Sequence, residues 1–298
     1  IYLKTYKRMK KLVIIHIVLL LIFACGVDDG SNNNPPTEDI IVVDSAKINR
    51  KVLVIGIDGF RSDVMQDTIT PFLHSLTKHN NLYYSLDHIT EGITYSGPNW
   101  SSMLTGVHLD KHNVTGNGFE NDNYEQHPPF FYYIEQANEN INTSSIVNWT
   151  PINTYILSNY ADYVPLESMN DLVVFESVKN TLLNSVPIDS DIIFVQFDEL
   201  DGAGHSHGFS PFIDGYINTA TTLDGYCQSL FDIINDKRLD GEDWLYVIIS
   251  DHGGEGTSHS DGSHPNINQT IFFVTLYLLI FFQKLVLKYY FLIKIFHI

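Results

Sequence analysis

Three runs of apolar, β-branched residues recur along this chain, and each ends on a carboxylate. Residues 51–57 (Lys-Val-Leu-Val-Ile-Gly-Ile) lead into Asp58, residues 191–197 (Asp-Ile-Ile-Phe-Val-Gln-Phe) into Asp198 and Asp201, and residues 244–249 (Trp-Leu-Tyr-Val-Ile-Ile) into Asp251. Continuous runs of this kind read as strands buried on both faces, which is the pattern of a parallel sheet. Helical patterns lie around them. Thr70-Pro71 opens one through Phe72, Leu73 and Leu76, with proline at the first helical position. A second runs over residues 212–235, with Ile217, Ala220, Leu223, Cys227, Leu230, Phe231 and Ile234 at helical spacing. Residues 144–149 and 172–175 read as further short strands, and the aromatic run 130–133 as the buried face of a helix. Strands alternating with helices predict an α/β domain around a largely parallel sheet. In such sheets ligands bind at the carboxyl ends of the strands, where these aspartates fall.

Charge narrows the partners. The formal net charge is -18. Five of the seventeen Lys and Arg precede Cys25 and three lie in the last fifteen residues, so nine stand against all thirty-five Asp and Glu in between. A nucleic-acid-binding face is excluded by this balance. An acidic surface would also repel an anionic ligand unless bound cations reverse the local field. Cysteine usage adds a constraint, because Cys227 is the only cysteine besides Cys25. If Cys25 is modified, no intramolecular disulfide can form, and stability rests on packing or bound metal.

The two ends read differently from the middle. Residues 1–8 precede Met9 and are expected to be upstream read-through. Met9-Lys10-Lys11 followed by an apolar run to Phe23 and then Ala24-Cys25 describes a signal peptide over residues 9–25, too short for a membrane span. Ile22-Phe-Ala-Cys25 resembles a bacterial lipobox, which implies lipidation at Cys25 and a lipid-anchored protein of the bacterial cell envelope. Residues 26–48 hold almost nothing to bury and read as a disordered tether. The catalytic domain is expected over residues 49–275. Residues 276–298 read as an apolar tail without a turn signal, expected to reflect truncation or a frameshift; the alternative, a C-terminal membrane segment, is interrupted by Gln283, Lys284 and Lys288.

Six fragments carry potential chemistry: Val-Ile-Gly-Ile-Asp58-Gly-Phe-Arg61, Ser96-Gly-Pro-Asn-Trp-Ser-Ser-Met-Leu-Thr-Gly106, His112-Asn-Val-Thr-Gly-Asn117, Asp201-Gly-Ala-Gly-His205, Ile-Ile-Ser-Asp251-His252-Gly-Gly and Gly-Thr-Ser-His259. Carboxylate oxygens and imidazole nitrogens suit zinc, and manganese or iron as well. A serine hydroxyl is a poor nucleophile at neutral pH, and coordination to a dication is one way to activate it. Ser96 precedes Pro98, and residues 100–104 could start a helix whose backbone N–H groups would favour a phosphoryl anion. Bland readings stand beside these. Asp58-Gly is also a common turn, Asp198 could be a strand-end cap, His207 a solvent-exposed neighbour, and Ser96 a turn serine.

Together the fragments resemble the alkaline phosphatase superfamily, and within it the type I phosphodiesterase / nucleotide pyrophosphatase branch, over roughly residues 51–275. The resemblance implies a sandwich of helices around a mostly parallel sheet, with two divalent metal ions, usually zinc, at the strand ends. It implies Ser96 as nucleophile and Asn117 as an amide gripping a phosphate oxygen. Asp201, His205 and His259 would hold one metal, and Asp58, Asp251 and His252 the other beside Ser96. Ser260 stands where a glycine normally follows the last histidine, so His264 is kept as the alternative to His259. The implied reaction is attack by Ser96 on the phosphorus of a small phosphorylated substrate, followed by hydrolysis of phosphoserine. A sulfatase would want arginine where Trp100 stands, and a phosphoethanolamine transferase would have several N-terminal membrane spans. An inactive surface lipoprotein that keeps the fold is the non-enzymatic alternative. Residues 117–187, expected to carry specificity, show no legible pattern, and neither does the oligomeric state.

Overall fold

The three apolar runs are strands and lie side by side. The computed structural model describes residues 50–79, 82–157, 159–165, 170–260 and 262–275, all within one compact unit of the chain that begins at Ala46. The expected read-through at 1–8, signal peptide at 9–25 with Cys25, tether at 26–48 and tail at 276–298 lie outside the described residues. The strands are β1 (Arg50–Ile57), β2 (Leu82–Ile89), β3 (Thr143–Val147), β4 (Ile192–Phe197), β5 (Asp243–Ile249) and β6 (Gln269–Thr275). Among the described residues the α-helices are α1 (Pro71–Leu76), α2 (Ser96–Thr105), α3 (Leu109–His112), α4 (Phe130–Ala137), α5 (Asp171–Leu182), α6 (Glu199–His207), α7 (Asp214–Leu239) and α8 (Pro265–Asn268).

One six-stranded sheet has the order β2-β6-β5-β1-β4-β3. β1 pairs in parallel with β4 and β5, and β3 in parallel with β4. β6 runs antiparallel to both β5 and β2. The sheet is therefore mostly parallel, with an antiparallel margin. Side chains alternate between its faces as strand geometry requires. Leu53, Ile55, Ile57, Ile193, Val195 and Phe197 face the layer of α1, α5 and α7, and Phe194 and Val147 face α2 and α4 on the other side. Helices thus cover both faces, as both-face burial of β1 and β4 demands. Removing a large aliphatic or aromatic side chain of this kind from water contributes about 1.5–3 kcal/mol.

Two buried carboxylates hold helix starts from a neighbouring element. Asp224 on α7 accepts the backbone N–H groups of Phe72 and Leu73 at 3.0 and 2.8 Å. Thr70, the residue before α1, instead donates its hydroxyl to the Val64 carbonyl at 2.9 Å. Asp171 does for α6 what Asp224 does for α1. It accepts the N–H groups of Asp198 and Glu199 at 2.8 and 2.9 Å, and the Asn148 amide at 2.8 Å. Such bonds satisfy donors that a helix start otherwise leaves orphaned.

Two expectations change. Residues 172–175 are not a strand but the first turn of α5. Asn170 caps that helix by accepting the Val173 N–H at 2.9 Å, and Val174, Phe175, Val178 and Leu182 face the core at helical spacing. An apolar run of four does not distinguish a strand from a helix. The helix expected to start near Trp100 begins at Ser96. Among the described residues no helix is long and apolar enough to cross a membrane.

Candidate active site

Asp58, Ser96, Asp201, His205, Asp251, His252 and His259 meet beyond the carboxyl ends of β4, β1 and β5. Asp58 follows β1 and is fully buried. Its Oδ2 accepts the Trp100 indole N–H at 2.9 Å and the Gln196 amide at 3.2 Å. Its Oδ1 lies 3.4 Å from Ser96 Oγ and 3.3 Å from His252 Nε2. Burial raises its pKa to about 6 despite these donors. The indole reaches Asp58 because β1 has no side chain at Gly56. A Cβ there would sit 2.3 Å from the ring.

Ser96 is the first residue of α2 and is buried, with Oγ also 3.5 Å from His252 Nε2. Asn117 is exposed, and its Oδ1 accepts the Gly97 N–H at 2.8 Å. That bond ties the amide to the start of α2 and leaves its NH2 group for solvent or a ligand. Of the first backbone N–H groups of α2, only that of Ser96 is left open. Gly97 N–H is taken by Asn117, Pro98 has none, and Asn99 N–H reaches the Tyr95 carbonyl at 3.3 Å. What α2 offers an anion is its dipole, the Ser96 N–H and the Asn117 amide.

Three histidines share one arrangement. Nδ1 lies 2.9 Å from the Thr257 carbonyl in His205, 2.8 Å from the Gly253 carbonyl in His252 and 2.7 Å from the Thr94 carbonyl in His259. A carbonyl only accepts, so each Nδ1 carries the hydrogen and each Nε2 presents a lone pair. Those lone pairs converge. His205 Nε2 is 3.1 Å from His259 Nε2 and 3.3 Å from Asp201 Oδ2, and His259 Nε2 is 3.6 Å from Asp201 Oδ1. His252 Nε2 is 3.4 Å from Asp251 Oδ2. The rings of His252 and His259 stack at 3.8 Å and 15°. Burial first, and neighbouring imidazoles with it, lowers His252 to about 4 and His259 to about 3, so both are neutral near pH 7.

The carboxylates shift the other way. Burial, then Asp58 and Asp198, raise Asp201 to about 9, and burial with Asp58 and Asp201 raises Asp251 well above its ordinary range. Asp201 Oδ1 and Asp251 Oδ2 are buried without a hydrogen-bond partner. Bare imidazole nitrogens and orphaned carboxylate oxygens facing one another are repulsive in isolation and complementary to a cation. The donors fit divalent metal ions. Among the described residues, two groups have ligand atoms all within 4.8 Å of one another: Asp201, His205 and His259, and Asp58, Asp201 and His252. Asp201 thus reaches both groups, and Asp251, expected in the second, lies beside it, with Oδ2 3.4 Å from His252 Nε2.

The remaining candidates separate cleanly. His264 is exposed and accepts the Asn266 N–H at 3.2 Å at the start of α8, away from the imidazole group. His207 is exposed. Asp198 precedes α6 but makes no side-chain cap, because Asp171 takes that role; its Oδ1 accepts the Gln196 amide at 3.1 Å instead. Trp100 and Asp171 carry nothing in the sequence that marks them as site residues. Only the polar Gln196 inside an apolar strand gave a signal.

The fold is that of the alkaline phosphatase superfamily. Within it, the chain belongs to the type I phosphodiesterase / nucleotide pyrophosphatase family, which it matches over residues 52–276. Bis(5'-adenosyl)-triphosphatase ENPP4 of Bos taurus is 23% identical over 222 residues, covering 68% of this chain and 47% of the relative. Among solved structures, murine ectonucleotide pyrophosphatase / phosphodiesterase 5 superposes with a TM-score of 0.55 at 20% identity, covering 68% of this chain and 57% of that one. An inactive form of that murine protein, solved in complex with AMP, matches to the same extent. The chain spans about half the length of the curated relatives it matches.

Proposed function

We propose that this chain hydrolyses phosphate esters of the phosphodiester, nucleotide pyrophosphate or phosphomonoester type, with Ser96 as nucleophile. The observation that carries the proposal is the position of Ser96 Oγ, 3.4 Å from Asp58 Oδ1 and 3.5 Å from His252 Nε2, at the edge of converging imidazole and carboxylate donors. Asp201, His205 and His259 would hold one divalent ion, and Asp58, Ser96, Asp251 and His252 the other. Bound there, two dications, most readily zinc with these nitrogen and oxygen donors, supply the positive charge that activates the hydroxyl and neutralises the departing oxygen. Ser96 Oγ attacks phosphorus, the bond to the leaving alcohol or nucleotide breaks, and water then hydrolyses the phosphoserine. The NH2 group of Asn117 holds a phosphoryl oxygen at the start of α2, where the helix dipole favours negative charge. A nucleotide substrate is supported by the AMP complex of the murine neighbour and the name of the bovine relative. The site of action on this proposal is the bacterial cell envelope, with lipidated Cys25 as anchor; the support is the sequence pattern of residues 9–25.

The test is turnover of a bis-aryl phosphate, an aryl phosphate and an aryl sulfate by the purified chain, with and without zinc. Zinc-dependent turnover of the phosphate substrates that disappears in Ser96→Ala is the expected result. Equal activity in Ser96→Ala would remove the nucleophile, and turnover of the sulfate alone would overturn the reaction class.

A further inference from the structure

Phe209 lies two residues beyond α6 and is almost fully buried, yet its ring packs on the metal-site imidazoles as well as on the core. It stands edge-on to His205 at 5.4 Å and 82°, and edge-on to His259 at 6.1 Å and 81°. Its far side meets Tyr216 at 5.6 Å. Two glycines make room for it. A methyl group at Gly204 or at Gly254 would fall 2.2 Å from a ring atom. The backbone of Phe209 is pinned from two directions. Its N–H donates to the Gly256 carbonyl at 2.7 Å, and its carbonyl accepts from Arg61 Nη1 at 2.5 Å. The same Arg61 nitrogen donates to the Gly254 carbonyl at 3.1 Å and Glu255 at 3.2 Å, and Asp63 binds the other side of the guanidinium.

His205 and His259 come from segments far apart in sequence, and no bond within either segment sets the distance between their Nε2 atoms. Zn–N bonds of about 2.0–2.1 Å in a tetrahedral site put two ligand nitrogens about 3.3 Å apart. The observed 3.1 Å is close to that separation.

We propose that Phe209 is a positioning residue: its ring, locked by Arg61 and the Gly256 carbonyl, is the wedge that holds His205 and His259 at the spacing one cation requires. The proposal rests on the two-cation reading above. It deepens that reading by naming a residue that touches neither metal nor substrate and yet sets ligand geometry.

The experiment is titration of the chelator-stripped full chain with Co2+, followed by visible d–d absorption. Phe209→Leu is compared with Phe131→Leu, a core substitution on α4 in the opposite hydrophobic layer. The wedge predicts that Phe209→Leu raises the half-saturating Co2+ concentration about tenfold, the lower end for loss of support around a metal ligand, and shifts the absorption band. Phe131→Leu leaves both unchanged. Gly204→Ala drives a methyl into the ring, so it weakens Co2+ binding in the wild-type background and less so beside Phe209→Leu. Should Phe209→Leu fail to fold by circular dichroism, Phe209→Met, whose flexible unbranched chain adapts to the gap without a flat ring, carries the same expectation. Co2+ binding by Phe209→Leu equal to wild type, or equal weakening by both core variants, would overturn the wedge alone. A wild-type chain that takes up no Co2+ would overturn the two-cation reading and the wedge with it.

Discussion

The Nε2 atoms of His205 and His259 face one another at 3.1 Å, while the Nδ1 of each ring is committed to a backbone carbonyl. The second ring nitrogens are thus left facing one another, and the buried Asp201 Oδ1 beside them has no donor. Removing cations from the chain should therefore lower its melting temperature, and adding zinc should restore it. At a free metal concentration a hundred times the dissociation constant, the gain is about 2.7 kcal/mol. Thermal unfolding with chelator and with added zinc measures this; identical melting curves would contradict it.

Trp100→Phe should weaken turnover by about tenfold while preserving the fold. The benzyl ring keeps contact with Phe194, which the indole meets edge-on at 5.9 Å, but Asp58 Oδ2 loses its 2.9 Å donor and keeps only Gln196. A hydrogen bond to a charged group contributes about 1.5–3 kcal/mol, and about 1.4 kcal/mol corresponds to tenfold. Steady-state kinetics on a bis-aryl phosphate, with circular dichroism as the folding control, checks it. Wild-type rates would show that the indole N–H does not matter.

Asp171 gives the chain a pH signature away from the metal-binding group. Burial raises its carboxyl from 3.8 to about 7, against the pull of three hydrogen bonds. The native state therefore holds a proton that the unfolded chain has lost, and stability falls as pH rises through that window. Asparagine does not titrate. The difference in melting temperature between wild type and Asp171→Asn should shrink from pH 4 to pH 7, read from melts across that range. A gap that stays constant or widens would contradict the shift.

Lys51 is buried, and its ammonium pairs with Asp189 and donates to the Ser190 carbonyl at 3.1 Å, with Asp191 3.7 Å away. Lys51→Ala removes the buried stem as well as the charge and should cost about 3 kcal/mol, within the range for truncating a large buried side chain. Lys51→Met keeps the stem, and Asp189 can return to water because it is 64% exposed, so its cost should stay under about 1.5 kcal/mol. Urea unfolding midpoints of the two variants decide between packing and charge.

The centre of the sheet was legible because β1, β4 and β5 are buried on both faces and wrote that burial as unbroken β-branched runs. β2 was not legible. It lies at the sheet margin with Tyr83, Tyr84 and Ile89 exposed, so its sequence carries no apolar period. Residues 172–175 misled for the opposite reason, since four apolar residues fit either element until the Asn170 cap decides. In the site, residues at strand ends and in short motifs could be collected from the sequence. Their supports could not, because Trp100 and Gln196 reach Asp58, Asp171 reaches the Asp198 N–H and Phe209 reaches His259, partners distant in sequence that only the tertiary fold brings near. Asp201 reaching both ligand groups is likewise a fact of packing.

Gly56 and Trp100 also have an evolutionary meaning. The strand carries a vacancy and the helix carries the shape that fills it, so neither position can drift alone. Enlarging residue 56 displaces the indole, and with it the start of α2 and Ser96. Shrinking residue 100 opens a void over β1 and strips Asp58 of a donor. Selection sees the two as a single locus, and substitutions there should arrive as compensated pairs.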